Sequence, residues 1–134
     1  IMAIKEESVT DQKNSLTVCL DNILRHAGIT RNTEYDLAQG KTAIQILEEN
    51  MTGVQVLDLS GCSLDAVLYY VNQDIPVLAI LEDGEAVLVT GFNEFNVVIM
   101  EPSTGKLYKK GMNDATAWFA ENGNHFITYM RTEN

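Results

Sequence analysis

At 134 residues, with 46% hydrophobic and 21% charged side chains, the chain is long enough for one packed domain. Its composition is too ordinary for a low-complexity or disordered class. Its 19 acidic residues outnumber 9 basic ones, and the formal charge of -10 repels both a phosphate backbone and an anionic bilayer, so nucleic acid and membrane insertion are not expected.

No apolar stretch approaches the ~18 residues of a membrane span, and the first residues lack the apolar core of a signal peptide. The opening at Ile1 fits a single domain, 1–134, cut from a longer protein. A helix is predicted over 15–28. Leu16, Cys19, Leu20, Ile23, Leu24 and Ala27 form one apolar stripe, Ser15 stands where an N-cap belongs and Gly28 where a C-cap belongs. A second helix is predicted over 43–51, because Thr42 and Gln45 have capping-box spacing and Gly53 follows. Val54-Gln55-Val56-Leu57 reads as a short strand, and Ser63 as the cap of a third helix through Leu64, Val67, Leu68 and Val71.

Beyond that helix the pattern changes. The runs 75–81 and 86–90 are almost wholly apolar and bounded by turn residues, so they read as strands buried on both faces. Turns at 93–96 and 102–105 lead into strands at 97–100 and 106–108. Asn113 is placed to cap a last helix carrying Trp118 and Phe119, Gly123 to end it, and 125–130 to form the closing strand. Helices first and an antiparallel meander second make the class α+β.

The residue types that carry chemistry are sparse. Cys19 lies on the apolar stripe, where a small buried core residue is expected. Cys62 precedes a helix but has no patterned histidine. The spacing of the two cysteines suits neither a disulfide framework nor a zinc site, although one bridge between them stays open. His26 falls off the stripe near a helix end, and His125 starts a strand beside a turn, so both read as surface residues. Glu82, Asp83 and Glu85 cluster at a strand-turn-strand tip that solvation explains. No calcium loop, phosphate loop or dinucleotide fingerprint is present, and no cofactor or metal is expected.

Two segments resemble a known family. The run Ser15-Leu16-Thr17-Val18-Cys19-Leu20 through Gly28-Ile29 resembles the first helix of the bacteriocin-processing, double-glycine-leader peptidases, which are papain-like cysteine peptidases. The run from Leu64 through Pro76-Val77, Asp83-Gly84-Glu85-Ala86-Val87, Gly91-Phe92 and Glu101-Pro102 is similar to their second half. That half has a helix, a strand with Pro-Val, then Gly-His-x-Val and Asp-Pro. The resemblance spans about residues 12–130 and implies a papain-like fold, with N-terminal helices packed on an antiparallel sheet. It also implies a larger secreted or cell-surface bacterial protein.

The departures from that pattern govern the functional expectation. The register anchored by Cys19-Leu20 and Gly28-Ile29 puts Ser15 where the family has its nucleophilic Cys, Glu85 where it has its general-base His, and Glu101 where it has its orienting Asp. A carboxylate is too weak a base to activate a serine hydroxyl near neutral pH. The expectation is therefore a catalytically degenerate domain that serves as a binding or structural module for a peptide or protein segment. Two alternatives stand beside it. One is an active cysteine peptidase with Cys19 as nucleophile and Gln12 as the upstream oxyanion-hole glutamine. The other is a ligand-free scaffold domain.

Overall fold

A computed structural model describes residues 13–132. In chain order the elements are α1 (Ser15–His26), α2 (Glu34–Ala38), α3 (Ala43–Asn50), β1 (Val54–Asp58), α4 (Leu64–Val71), β2 (Val77–Ile80), β3 (Ala86–Phe92), β4 (Asn96–Glu101), β5 (Lys106–Gly111), α5 (Met112–Glu121) and β6 (His125–Arg131). The six strands form one sheet in the order β1-β6-β2-β3-β4-β5, and every pairing is antiparallel. The class is α+β, as the order of helical and strand patterns implied.

The apolar strand runs exist because the sheet is covered twice. Leu78, Ala86, Leu88, Met100, Ile127 and Tyr129 point to one face, where they pack with Cys19, Leu20, Ile23 and Leu24 of α1 and Ile46 and Leu47 of α3. Their sequence neighbours Val77, Ala79, Val87, Val89, Ile99 and Phe126 point to the other, against α4 and against Ala115 and Phe119 of α5. A strand between two apolar layers has no polar face to alternate with, which is why these segments read as unbroken runs. Phe119 and Phe126 meet edge to face across the second layer, with ring centroids 5.3 Å apart.

Several local signals act as their chemistry requires. Thr42 and Gln45 close a reciprocal capping box on α3, and the Ser63 hydroxyl accepts from Ala66 N–H at the start of α4. Past α1, the Ile29 N–H returns to the Leu24 carbonyl at 2.8 Å, which places Gly28 at φ +87, a conformation that favours glycine.

Three expectations need correction. The cap of α1 is Asn14, whose side chain accepts from Thr17 N–H at 2.7 Å, and Ser15 is the first helical residue. The cap position of α5 is Gly111, with no side-chain cap bond, so Asn113 lies inside that helix. The short helix α2 was not anticipated, since a five-residue helix is too short to display a period. It is held instead by Asp36, which is 5% exposed and pairs at 2.9 Å with Arg31, five residues before it.

Candidate functional site

The N-terminus of α1 meets the sheet at the first residue of β3. Ser15 Oγ accepts a hydrogen bond from the Ala86 backbone N–H at 2.8 Å, across 71 residues of sequence. Because Ser15 is the first helical residue, its side chain is free of capping duty and bridges to the strand. Ala86 follows Glu85 directly, and β3 pairs with β4 through Leu88 and Met100, so Glu101 at the end of β4 lies at the same end of the sheet. The fold thus gathers Ser15, Glu85 and Glu101 to one end, although each comes from a different element or turn.

Their side chains do not form a relay. Glu85 is exposed. Its backbone N–H donates to Asp83 Oδ1 at 3.0 Å, and its carbonyl accepts from Leu81 N–H at 2.8 Å. The Glu85 carboxylate makes no hydrogen bond to Ser15; the contact comes one residue later, from the Ala86 backbone. The β2–β3 turn aims Glu85 at solvent while Ala86, the next residue, faces the core. Glu101 is half-buried, and its Oε2 accepts from Ser103 N–H at 3.1 Å and Ser103 Oγ at 3.0 Å. That carboxylate is engaged by its own turn.

Neither histidine hydrogen-bonds Ser15 among the described residues. His26 is at the opposite end of α1, with Nε2 2.9 Å from the Asp74 carbonyl oxygen. His125 is exposed and two strands from Ala86, because Ile80 pairs with both. It lines a cavity with Asp58, Ser60 and Glu82. There the Ser60 hydroxyl donates to Asp58 Oδ1 at 2.6 Å, so it is turned to a carboxylate, and Ser60 and His125 form no nucleophile–base pair.

Cys19 is fully buried, as its place on the stripe requires. Burial, and secondarily the negative charge of Glu101, push its thiol from 9.0 up to about 12. Cys19 and Cys62 are both free thiols. Gln12, the oxyanion partner considered for Cys19, lies outside the described residues. Among those residues no group of three or more His, Cys, Asp and Glu side chains is placed to hold a metal ion. No helix there is long and apolar enough to cross a membrane.

The Cys19 thiol gives a direct prediction. In the native state iodoacetamide should label half-buried Cys62 and leave Cys19 silent until denaturant is added, as read by mass spectrometry of digested protein. Its raised pKa also carries a sign. The folded state holds the proton that the unfolded chain loses above about pH 9, so this group should lower wild-type stability as pH rises from about 9 toward about 12. Cys19→Ala should cost about 1 kcal/mol at pH 7, and the deficit should shrink, then reverse, in denaturant titrations above pH 9. A deficit constant with pH would mean that Cys19 ionises freely in the fold.

Sequence reasoning missed the amide that receives Ser15, because nothing in residue type marks a backbone N–H. The signal available was indirect: a hydroxyl side chain directly after an Asn that can cap leaves the hydroxyl for another partner.

No protein-family model matches the chain, and no curated protein matches it significantly. Among solved structures it is similar to a "putative C39-like peptidase from Bacillus anthracis", at 16% sequence identity and a TM-score of 0.73, over 92% of this chain and 91% of that one. At this identity the likeness establishes the fold: an α+β, papain-like arrangement of helices on a six-stranded antiparallel sheet.

Proposed function

We propose that this chain is a catalytically degenerate papain-like domain that holds a peptide segment at the α1–β3 junction instead of cleaving it. The observation that carries this reading is the hydrogen bond from Ala86 N–H to Ser15 Oγ at 2.8 Å, with Glu85 beside it and no imidazole bonded to the hydroxyl. Acyl transfer needs a nucleophile and a base able to take its proton, held in hydrogen-bond reach of each other. Ser15 is a weak nucleophile, and the exposed Glu85 carboxylate offers it neither contact nor sufficient basicity.

Binding survives the loss of that chemistry. The positive end of the α1 dipole remains, with the Thr17 N–H held by Asn14, and it favours a carbonyl oxygen or carboxylate of a bound segment. The likeness to a structure described as a C39-like peptidase supports a peptide as the ligand class. The buried Cys19, with its proton held to about pH 12, weighs against the alternative in which that residue is the nucleophile.

The test uses a peptide ending in Gly-Gly linked to a fluorophore. The chain is expected to raise the anisotropy of the intact peptide saturably and to release no fluorophore above the buffer rate. Turnover abolished by Cys19→Ala would overturn the degenerate reading, and the absence of saturable binding would overturn the peptide-holding one.

A further inference from the structure

A cavity of about 440 Å³ lies on the α1 side of the sheet, at the C-terminal half of the helix. At 1.5 Å per residue, Asn22 and Arg25 sit about 10 and 15 Å along the axis from Ser15, so this cavity is separate from the α1–β3 junction. Its floor is apolar. Leu88 and Met100, 3% and 5% exposed, lie beside Pro76, and Leu107 of β5 forms a wall at 61% exposure. Asn22, Arg25, His26, Asp74 and Thr90 supply the polar lining. An apolar floor, a few converging polar groups and a volume within the ~300–1,000 Å³ range describe a small-ligand site.

The charges select the ligand. Arg25 Nη1 donates to Asn22 Oδ1 at 3.0 Å, which orients the guanidinium. Among the described residues it has no carboxylate within ion-pair distance, in a chain of net charge -10. His26 is occupied, with Nε2 2.9 Å from the Asp74 carbonyl oxygen and 3.4 Å from its carboxylate. We infer that this cavity binds a small amphipathic monocarboxylate, its apolar tail on Leu88, Met100 and Leu107 and its carboxylate on Arg25. The Thr90 hydroxyl, at the rim, donates to the Val98 carbonyl at 3.5 Å, which leaves Arg25 as the group that takes the carboxylate. Asp74 opposes the ligand's charge and limits affinity.

The probe is octanoate, titrated calorimetrically into the full chain at pH 7. One saturable site is expected. Arg25→Gln should weaken it about tenfold, by removing a charge-assisted bond. Asp74→Asn should tighten it about two- to threefold, by removing a facing negative charge at an exposed site. Asn tolerates the φ of +64 at that position, so this variant should stay folded. Lys110→Gln, which removes a cation stacked 4.8 Å from the Trp118 ring centroid on α5, should leave affinity unchanged. The inference is overturned if octanoate does not saturate, if octanol binds as tightly, or if Arg25→Gln and Lys110→Gln weaken binding equally. It is also overturned if an acetylated tripeptide ending in a free-carboxyl Leu binds more than about tenfold tighter than octanoate, because the occupant would then be a peptide end.

Discussion

Asp21→Ala is expected to destabilise the fold by about 3 kcal/mol and to lower Tm by about 10 °C. Asp21 is 5% exposed on α1, and its carboxylate is fully committed. Oδ1 accepts from the Thr33 N–H at 2.9 Å and the Thr33 hydroxyl at 2.8 Å, and Oδ2 accepts from Lys13 Nζ at 3.2 Å. Thr33 is itself fully buried. Truncation to Ala therefore orphans two buried donors, each costing about 1–3 kcal/mol, and leaves Lys13 unpaired. Asp21→Asn keeps an acceptor oxygen for Thr33 and should cost about 1 kcal/mol. Urea denaturation of the two variants separates the effects. Equal losses would mean that the charge, and not the hydrogen bonds to Thr33, holds the 28–33 connection to the helix.

That residue also shows where reading a sequence stops. Asp21 sits on the flank of the α1 stripe, and a periodicity argument assigns it to solvent because a lone carboxylate has no reason to be inside. Its reason is Thr33, which comes from a loop twelve residues on. Tertiary partners of this kind leave no local trace. The elements that were legible have local causes: the Thr42–Gln45 box, the Ser63 cap, the Gly28 terminator and the two-faced apolar runs at 77–80 and 86–89. The cap of α1 differs because adjacent residues compete for the same role, and that of α5 because no side chain caps it. Asn14 took the α1 cap from Ser15, and Gly111 starts α5 by backbone geometry alone.

The gathering of Ser15, Glu85 and Glu101 at one end of the sheet had a different source. No spacing rule connects positions 15 and 86. The register came from the resemblance to the double-glycine-leader peptidases, and it places Ser15 one residue from contact with Glu85. The finer detail, with Glu85 turned to solvent and Glu101 held by Ser103, depends on turn geometry at 82–85 and 101–105. The residue types in those turns do not specify it.

The proposed degeneracy is tested by placing Cys and His at positions 15 and 85. Ser15→Cys places a thiol at the start of a twelve-residue helix, where the helix dipole lowers a thiol's pKa. The Ala86 N–H that now meets Ser15 Oγ at 2.8 Å also favours a thiolate. The neighbouring Glu85 carboxylate acts in the other direction, since a nearby negative charge raises the pKa. Adding Glu85→His removes that charge and supplies a group able to carry a positive one. The double variant Ser15→Cys/Glu85→His should therefore react with iodoacetamide at pH 7 at least about tenfold faster at position 15 than the single variant, because one unit of pKa changes the thiolate fraction about tenfold. Cys62→Ser in both backgrounds removes the competing half-buried thiol, and buried Cys19 contributes none while the fold is intact. Circular dichroism establishes that both variants are folded. The rate should rise with pH along a curve whose midpoint lies lower in the double variant, which separates a true pKa change from better access. Equal rates and equal midpoints in two folded proteins would place position 85 out of reach of position 15. The proposal that this domain holds peptides without cutting them, for want of a base at the α1–β3 junction, would then fall.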